Sequence, residues 1–407
     1  MFYVLSKNVY LVKGNTRGCI YDFNSSKLYS LNKELSDKVD LANQKGICVD
    51  LLDADLQSIF DELVSNGILT LSETAVTRHI EEIKLPDMKF TFAWIEVTNQ
   101  CNLRCRHCYN ESDIRCNDFM TLDNYKIVID NLLSLGVKKV QLIGGEPFFD
   151  KPLLKDMLDY TVGKFPLIEI FTNGTLMSTE WFKYLSKNDI HVALSVYSYD
   201  ENMHDAVTGC KGSFAKTNNT IKELKRLGIT YRVCNVLMKD IDLGNRSTNL
   251  YELSPDKDVV RMSGRASFSL LSEELIRKKL ITKKSFQAPI SRYFAARLLS
   301  GHNCFNNRLY ITANMDVFPC VMERRMKHCR IDKNHGINLD ENIRLLNKDK
   351  VDECCLCEFR YACFDCRPNS LSGNLLEKPW YCTYDPLSGE WENEDEFVAK
   401  LREKWEK

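Results

Sequence analysis

The spacing of apolar residues divides the chain into three segments of different character. In residues 90–266, six short apolar runs alternate with stretches that carry apolar residues every three or four positions. Such runs are typical of buried strands, and the stretches between them of amphipathic helices. Strand–helix–strand repetition predicts an α/β fold with a parallel sheet, and six strands predict a partial (β/α)6 TIM-like barrel. The predicted strands are TFAWIEV, KKVQLIG, LIEIFTN, HVALSVY, YRVCNVLM and DVVRMSG. The predicted helices between them include LDNYKIVIDNLLSLG, KPLLKDMLDYTVGKF, TEWFKYLSKN and FAKTNNTIKELKRLG.

The connection between the fifth and sixth predicted strands differs from the others. It is short for a crossover helix, and Gly244, Pro255 and scattered Asn and Ser residues interrupt it. Glycine and proline break helical patterns. The sequence therefore predicts a shortened or irregular crossover.

Residues 1–72 have the pattern of a small separate unit. Alternating apolar and polar positions predict strands in YVLSKNVYLV and GCIYDFNSSKLYSL, the second folded about Asn24–Ser26. Helical patterns follow in KELSDKVDLAN and in DADLQSIFDELVSNG, which Gly67 ends, and ILTL closes the unit as a strand. A hairpin, helices and a final strand predict a winged-helix-like domain, with the polar residues 73–89 as a linker.

The C-terminal part has few strand patterns and many cysteines. Residues 267–385 hold nine of the 17 cysteines in the chain. Residues 386–407 include EDEFVAKLREKWEK, whose pattern predicts an amphipathic helix.

Composition narrows the classes of function. The 407 residues are 44% hydrophobic and carry a net charge of −1, which gives no sign of a nucleic-acid or membrane partner. No run of 18 apolar residues and no signal peptide is visible, so we expect a cytoplasmic protein. Because that compartment keeps thiols reduced, the cysteines favour metal or cluster binding over disulfides.

The sequence Cys101-Asn-Leu-Arg-Cys105-Arg-His-Cys108 follows the first predicted barrel strand. Three thiolates on one loop can hold three irons of a [4Fe–4S] cluster and leave the fourth iron open. Loops at the carboxyl ends of barrel strands form active sites, so the position is suitable. A zinc site or three incidental cysteines is the alternative, although zinc normally takes a fourth nearby ligand.

Three further segments end the next predicted strands. Gly144-Gly145-Glu146-Pro147 offers glycines that allow close backbone approach and a carboxylate that can accept hydrogen bonds from an ammonium group. Thr172-Asn173-Gly174 ends the third strand, and Ser195 lies on the fourth. Taken singly, each segment is equally well explained as an ordinary turn or strand residue.

The C-x3-C-x2-C motif resembles the defining motif of the radical S-adenosylmethionine superfamily. Members usually carry an aromatic residue just before the third cysteine, where this chain has His107. The resemblance implies that the cluster binds S-adenosylmethionine, and that Glu146 with its preceding glycines contacts the amino group. It further implies that the Thr172-Asn173-Gly174 segment and Ser195 contact the methionyl and ribose parts of the cofactor. The residues assigned to the cofactor in this way are His107, Gly144, Gly145, Glu146, Thr172, Asn173 and Ser195.

The C-terminal cysteines resemble the seven-cysteine array of the SPASM domain, which binds two auxiliary [4Fe–4S] clusters; a zinc knuckle is the alternative. The resemblance implies an outer cluster on Cys354, Cys357, Cys363 and Cys382, and an inner cluster on Cys304, Cys320 and Cys366. The gap between Cys363 and Cys366 is two residues rather than the usual three, and Met315 stands where glycine is common. Tyr310 occupies the place of an extra ligand in some relatives, so the fourth inner ligand stays open, with Cys329, Cys355 or an open iron as options.

The N-terminal unit resembles the winged-helix peptide-recognition elements of enzymes that mature ribosomally made peptides, in which a leader peptide adds a strand to a sheet edge. A structural cap is the alternative. The resemblance implies hydrogen abstraction from a precursor peptide by a 5′-deoxyadenosyl radical and formation of a thioether or carbon–carbon crosslink. It also implies an electron donor such as flavodoxin or ferredoxin.

Two other functions compete. Anaerobic sulfatase-maturing enzymes, which make formylglycine, carry a catalytic aspartate directly after the cysteine equivalent to Cys320, where this chain has Val321. Valine cannot accept a proton, and this favours peptide maturation. The sequence identifies no catalytic acid or base. A non-catalytic iron–sulfur protein for electron transfer or regulation would not need the Gly-Gly-Glu-Pro and Thr-Asn-Gly segments.

Overall fold

A computed structural model describes residues 1–86, 89–241, 258–369 and 374–406. The N-terminal residues form two small sheets with strand orders β5–β1–β6 and β2–β3–β4, together with two helices. The elements are β1 (Phe2–Leu5), β2 (Val9–Lys13), β3 (Arg17–Asp22), β4 (Lys27–Asn32), α1 (Lys33–Lys45), β5 (Ile47–Cys48), α2 (Ala54–Ser65) and β6 (Leu69–Ser72).

The predicted hairpin, both helices and the final strand of this unit are confirmed. The prediction of one strand over YVLSKNVYLV is wrong, because the run divides into β1 and β2, which enter different sheets. The division falls at Asn8, whose φ is 63°. Asn tolerates this left-handed conformation better than most residues, so it permits the turn.

The central segment contains five parallel strands and their connecting helices. The elements are β7 (Phe92–Thr98), α3 (Leu122–Ser134), β8 (Lys139–Gly144), α4 (Lys151–Thr161), β9 (Leu167–Thr172), α5 (Thr179–Lys187), β10 (His191–Ser195), α6 (Glu201–Thr208), α7 (Ser213–Arg226) and β11 (Tyr231–Cys234). Helix α6 was not predicted. The predicted sixth strand forms only a single parallel bridge between Leu237 and Val259. The predicted irregular crossover before it, residues 242–257, lies outside the described residues.

The sheet gains three strands from the C-terminal part. They are β12 (Arg308–Ile311), β13 (Asp316–Phe318) and β14 (Cys329–Arg330). Strand β12 pairs in parallel with β7, and β13 and β14 continue as antiparallel neighbours. The resulting eight-stranded sheet has the order β11–β10–β9–β8–β7–β12–β13–β14 and is open at both ends. This arrangement confirms the α/β class and a partial rather than closed barrel.

The two faces of this sheet carry different side chains. Ala93 and Ile95 point to the face covered by helices, where they join the largest apolar core. Trp94, between them, points to the opposite face and packs beside Ile143 and Tyr310. Side chains alternate across a strand, so β7 supplies both layers. The apolar layer on the face opposite the helices lies beneath the residues that follow the strands.

Side chains that precede the helices fix where the helices begin. Thr121 accepts a hydrogen bond from the backbone N–H of Asn124, and Asp150 does the same for Leu153. Each capped N–H would otherwise lack an intrahelical partner. Such caps contribute about 1 kcal/mol each, so the loops before the helices have defined ends.

The remaining elements surround the cysteine-rich residues. They are α8 (Glu273–Lys279), α9 (Arg292–Leu299), α10 (Glu341–Arg344), β15 (Tyr384–Asp385), β16 (Glu390–Trp391) and α11 (Glu394–Glu406). Helix α11 confirms the predicted C-terminal helix. Its Trp405 stacks on Phe268 with ring centroids 4.1 Å apart, which anchors the end of the chain. No helix among the described residues is both long and apolar enough to cross a bilayer.

The N-terminal unit packs directly on the cysteine-rich part. Tyr10 and Tyr21 share an apolar cluster with Phe359 and Tyr361. The N–H of Asn15 donates to the carbonyl of Leu356 at 2.8 Å. The segment predicted as a linker contributes the buried Ile80 and Ile83 to the same cluster. The two units therefore share one core.

Candidate functional site

The first three site cysteines lie on the loop after β7. Cys101 is buried, while Cys105 and Cys108 are half-buried. Arg265 fixes the backbone of this loop: its Nε donates to the carbonyl of Cys105 at 2.9 Å, and its backbone N–H donates to that of Cys108 at 3.0 Å. Arg265 therefore holds the cysteine loop in place through the backbone carbonyls of Cys105 and Cys108.

The three thiols share a confined environment. Burial raises the pKa of Cys105 to about 12, and burial together with Glu146 raises the pKa of Cys101 still further. Cys105 and Cys108 also contribute to the shift at Cys101, so the three sulfurs are near one another. Bound cations reverse such shifts because they stabilise thiolates. The donor set therefore fits a site that holds positively charged iron.

The described residues contain no group of three or more His, Cys, Asp or Glu side chains arranged to hold one metal ion. In a [4Fe–4S] cluster, each cysteine binds a different iron. Cysteines around a cluster therefore need not converge on a single point.

Gly144 and Gly145 contact the backbone of the cysteine loop. The N–H of Gly145 donates to the carbonyl of Thr98 at 2.7 Å, and that of Glu146 donates to the carbonyl of Gln100 at 2.8 Å. A Cβ at position 145 would lie 2.1 Å from the Gln100 oxygen. Glycine is therefore required here by the neighbouring loop, a reason that the sequence pattern alone did not give.

Glu146 connects the ends of β8 and β9. Its carboxylate is fully buried and accepts hydrogen bonds from the Thr172 hydroxyl at 2.6 Å, the Asn173 N–H at 2.8 Å and the Phe148 N–H at 3.1 Å. Burial raises the pKa of Glu146 to about 7. A cationic group beside this carboxylate would favour its charged form.

Asn173 joins the end of β9 to the cysteine loop. Its side-chain amide donates to Asn102 at 2.9 Å and lies 3.9 Å from the Cys101 sulfur. The hydroxyl of Thr217 donates to the Asn173 carbonyl at 2.7 Å, which fixes the backbone at this point. The predicted residues after β7, β8 and β9 are therefore assembled at one edge of the sheet.

His107 and Ser195 meet through a residue that sequence reasoning missed. The rings of Tyr197 and His107 pack edge to face with centroids 4.7 Å apart, and Ser195 and Cys105 lie close enough to the Tyr197 hydroxyl to influence its pKa. Burial lowers the pKa of His107 to about 4, and its buried Nδ1 has no hydrogen-bond partner among the described residues. An unpartnered polar atom beside the cysteine loop fits a bound polar cofactor. The only signal for Tyr197 was its place at the end of HVALSVY.

The four cysteines predicted for the outer cluster line one indentation. Cys354, Cys357, Cys363 and Cys382 all lie in the wall of this narrow indentation. Apolar rings complete the wall, with Phe286 stacked on Phe359 at 4.5 Å. Four thiols around one space are the donor set that a four-iron cluster requires.

The three cysteines predicted for the inner cluster are also brought together. Cys304 and Cys366 both contribute to the raised pKa of Cys320, which burial brings to about 12. Burial raises the pKa of Cys366, and the nearby Arg261 opposes that shift. Of the other options, Cys329 packs against the core of the sheet and Cys355 is exposed. Tyr310 is fully buried and donates to Glu96, so it does not reach this group.

Met315 shows why glycine is common at its position. It lies in the tight turn between β12 and β13, where its φ is 70°. A side chain in this left-handed region costs about 1–2 kcal/mol. Its burial against the sheet core offsets that strain, so the turn forms without glycine.

An open cavity of about 340 Å³ is lined by residues that adjoin the cysteine loop and by residues that adjoin the inner cysteine group. Tyr109, directly after Cys108, lines one side, and Val321, directly after Cys320, lines the other. Arg324 also lines it and donates to the Tyr310 hydroxyl at 2.7 Å. The hydroxyl of Ser263, which has no hydrogen-bond partner among the described residues, lies in the same wall. The cavity can therefore hold a side chain between the two cysteine groups.

Comparison with known proteins agrees with this geometry. Residues 95–241 match the model of the Radical SAM superfamily. The antilisterial bacteriocin subtilosin biosynthesis protein AlbA of Bacillus subtilis is 33% identical over 210 residues, which cover 51% of this chain and 44% of AlbA. The sporulation killing factor maturation protein SkfB of the same organism is 31% identical over 136 residues, 33% of each chain. The chain thus matches less than half the length of either relative.

The overall fold is shared with a solved structure. The crystal structure of Streptococcus suis SuiB bound to the precursor peptide SuiA superposes with a TM-score of 0.51 at 13% identity. The match covers 93% of this chain and 98% of SuiB. At this identity the likeness establishes the fold alone.

Proposed function

We propose that this chain, whose residues 95–241 match the Radical SAM superfamily, is an enzyme that matures a ribosomally made precursor peptide. The modification is a thioether or carbon–carbon crosslink. The observation that carries the proposal is the cavity between the cysteine loop and the inner cysteine group, which is open to a peptide side chain. The names of AlbA and SkfB and the peptide bound to SuiB support a peptide substrate.

The cofactor supplies the reactive species, because S-adenosylmethionine cleaved at a [4Fe–4S] cluster yields a hydrogen-abstracting radical. In our proposal, Cys101, Cys105 and Cys108 hold that cluster. Glu146 receives the cofactor's amino group, since among the described residues its buried Oε2 accepts only the Asn173 N–H and a carboxylate oxygen can accept more. Tyr197 orients His107 and Ser195 around the rest of the cofactor.

Auxiliary clusters complete the proposed cofactor set. Cys354, Cys357, Cys363 and Cys382 would hold the outer one, and Cys304, Cys320 and Cys366 the inner one. The three inner cysteines influence one another's pKa and do not line the four-thiol indentation, which supports two clusters rather than one. A low-potential donor such as flavodoxin or ferredoxin would deliver the electrons.

The wall of the cavity favours crosslinking over formylglycine formation. Val321 packs against the apolar layer formed by Ile143, Tyr310 and Phe318. The position directly after Cys320 therefore offers no carboxylate to accept a proton from a Cys or Ser substrate. This is the observation that separates the two reactions.

Metal content and cofactor cleavage test the enzyme assignment. Anaerobically reconstituted protein should contain about twelve irons, as expected for three four-iron clusters. Cys105→Ala should abolish formation of 5′-deoxyadenosine and retain about eight irons. Cys116→Ala is the matched control, because Cys116 is a half-buried cysteine on the same loop. Four irons in the unsubstituted protein, or cleavage by the Cys105→Ala variant, would contradict the assignment.

The N-terminal unit offers an edge to the leader of the precursor. Strand β4 ends the sheet order β2–β3–β4 and pairs only with β3 among the described strands. Strand β2, at the other end, contacts the helical turn at Ile80–Ile83, where the Tyr10 hydroxyl donates to Glu82 at 3.5 Å. An added peptide strand takes the hydrogen bonds of an open edge. We therefore expect the leader to bind along β4.

Hydrogen exchange is the suitable test, because deletion of residues 1–72 would also remove Tyr10 and Tyr21 from the shared core. A synthetic leader peptide should slow exchange of backbone amides in β4. The amides of β2 serve as the internal control and should not change. Protection at β6 instead of β4 would refute the proposed edge, and no protection anywhere in residues 1–72 would indicate a structural cap.

A further inference from the structure

A buried group of charges lies between the two C-terminal cysteine sites. Lys348 Nζ is 2.9 Å from one carboxylate oxygen of Asp365, and Arg367 binds the other oxygen. The side chains of Lys348, Asp365 and Arg367 are 8%, 3% and 4% exposed. All three charges are therefore shielded from water.

The charges in this group do not cancel. Two cations share one carboxylate, and no ion pair among the described residues gives Lys348 or Arg367 a second carboxylate. The third guanidinium nitrogen of Arg367 donates to backbone carbonyls, that of Glu377 at 2.9 Å and that of Leu375 at 3.5 Å. Burial of an uncompensated charge is strongly unfavourable. The fold therefore needs an anion close to Lys348.

The outer cysteine site supplies that anion. Lys348 Nζ lies 3.3 Å from the sulfur of Cys363, and Lys348 lines the indentation formed by the four cysteines. Four thiolates on a [4Fe–4S] core leave the cluster with a net negative charge. The excess cation therefore faces the place where the negative charge of a cluster would lie.

We propose that Lys348 donates an N–H···S hydrogen bond to Cys363 as a ligand of the outer cluster and raises the reduction potential of that cluster. This inference rests on the proposed outer cluster. Reduction adds one negative charge, which a buried ammonium stabilises, and hydrogen bonds to sulfur and net charge both set cluster potentials. Asp365 is a positioning residue that holds the ammonium against the sulfur.

The effect is confined mainly to the outer cluster. The link to the inner site runs through His302, whose Nε2 lies 3.0 Å from the Asp365 carbonyl and whose Nδ1 accepts from the N–H of Cys304 at 3.3 Å. Neither contact places the ammonium against an inner-site sulfur. The inner cluster thus provides a reference within the same molecule.

The test is a redox titration of the full-length reconstituted protein, followed by electron paramagnetic resonance. Lys348→Met removes the charge and leaves Asp365 paired with Arg367 alone, so no unpaired carboxylate is created. The equilibrium constant for reduction of the outer cluster should fall at least tenfold, a shift of about 59 mV to lower potential. The potential of the inner cluster should move less.

Lys378→Met is the matched control. Lys378 lines the same indentation, but its Nζ is 2.8 Å from the carboxylate of Glu353, which balances its charge. Its substitution should shift the outer potential by less than half as much. An equal shift in both variants would overturn the assignment to Lys348.

Iron content separates the remaining outcomes. Full iron and an unchanged potential in Lys348→Met would overturn the proposal. If that variant loses about four irons, Lys348→Arg decides: retention of iron and potential supports the role of charge, whereas loss in both variants shows a packing role and overturns it. An unsubstituted protein without the outer cluster would instead contradict the proposed function, a result visible before any variant is made.

Discussion

Gly145→Ala is the sharpest test of how the site is assembled. The new Cβ would lie 2.1 Å from the carbonyl oxygen of Gln100 and 2.7 Å from that of Asn99, whereas ordinary contacts begin at 3.4 Å. Both clashing atoms belong to the backbone of the cysteine loop. The loop and the segment at Gly145 must therefore separate by more than 1 Å.

The cost of that separation follows from the contacts it breaks. The hydrogen bonds from the N–H groups of Gly145 and Glu146 to the cysteine loop would both be lost. At about 0.5–1.5 kcal/mol for each bond, the assembled site would be destabilised by about 1–3 kcal/mol. A displacement of about 1 Å in a catalytic group lowers rates by about 10²-fold. We therefore expect 5′-deoxyadenosine formation to fall by about two orders of magnitude.

The assay is single-turnover formation of 5′-deoxyadenosine by reconstituted protein, with iron counted in the same sample. Gly136→Ala is the control, because Gly136 has a φ of 76° and open space around its Cβ position. It should lose about 1–2 kcal/mol of stability from backbone strain while cleavage continues. Unimpaired cleavage by Gly145→Ala at full iron content would refute the contact between these two segments as the basis of the site.

Two further predictions concern charge at and near the site. Glu146→Gln should weaken S-adenosylmethionine binding at least tenfold, measured by equilibrium dialysis, since an amide offers no charge to the amino group; unchanged affinity would place the amino group elsewhere. Burial lowers the pKa of His204 to about 4, below the unfolded value of about 6.5, so the unfolded state binds more protons between these pH values and stability rises with pH across that window. The melting temperature of the unsubstituted protein should therefore fall more steeply from pH 6.5 to 4.5 than that of His204→Gln, and parallel slopes would contradict this account.

The elements that could be predicted are those whose pattern is local. The first five barrel strands and helices α3, α4, α5 and α7 follow from apolar spacing, because each buries one face against the same core. Helix α6 is short and its pattern is obscured by the polar residues around Asp200, so it was missed. The pairing of β12 with β7 joins residues more than 200 positions apart, and no local pattern carries that information.

The candidate site likewise combines features that follow from local sequence patterns with features that depend on the fold. The strand-end motifs located the cysteine loop and the Glu146 segment, because their residue types are chemically distinctive. Their mutual contacts depend on three-dimensional placement, as with the clash that requires glycine at position 145. Lys348 illustrates the limit most clearly: in the sequence it is one of many surface-type residues, and only the fold buries it against Cys363.

The shared core of the N-terminal unit and the cysteine-rich part sets an order of assembly. Asn15 hydrogen-bonds to Leu356, and Tyr21 to the carbonyl of Glu358, on both sides of Cys357. Without iron, the backbone around Cys357 would not be ordered, because metal binding supplies the free energy that orders such segments. Asn15 and Tyr21 would then lack fixed hydrogen-bond partners. We expect iron-free chains to expose the apolar side of β2 and β3 and to be cleaved early by proteases. Iron supply would then decide how much enzyme survives in the cell, as well as how much of it is active.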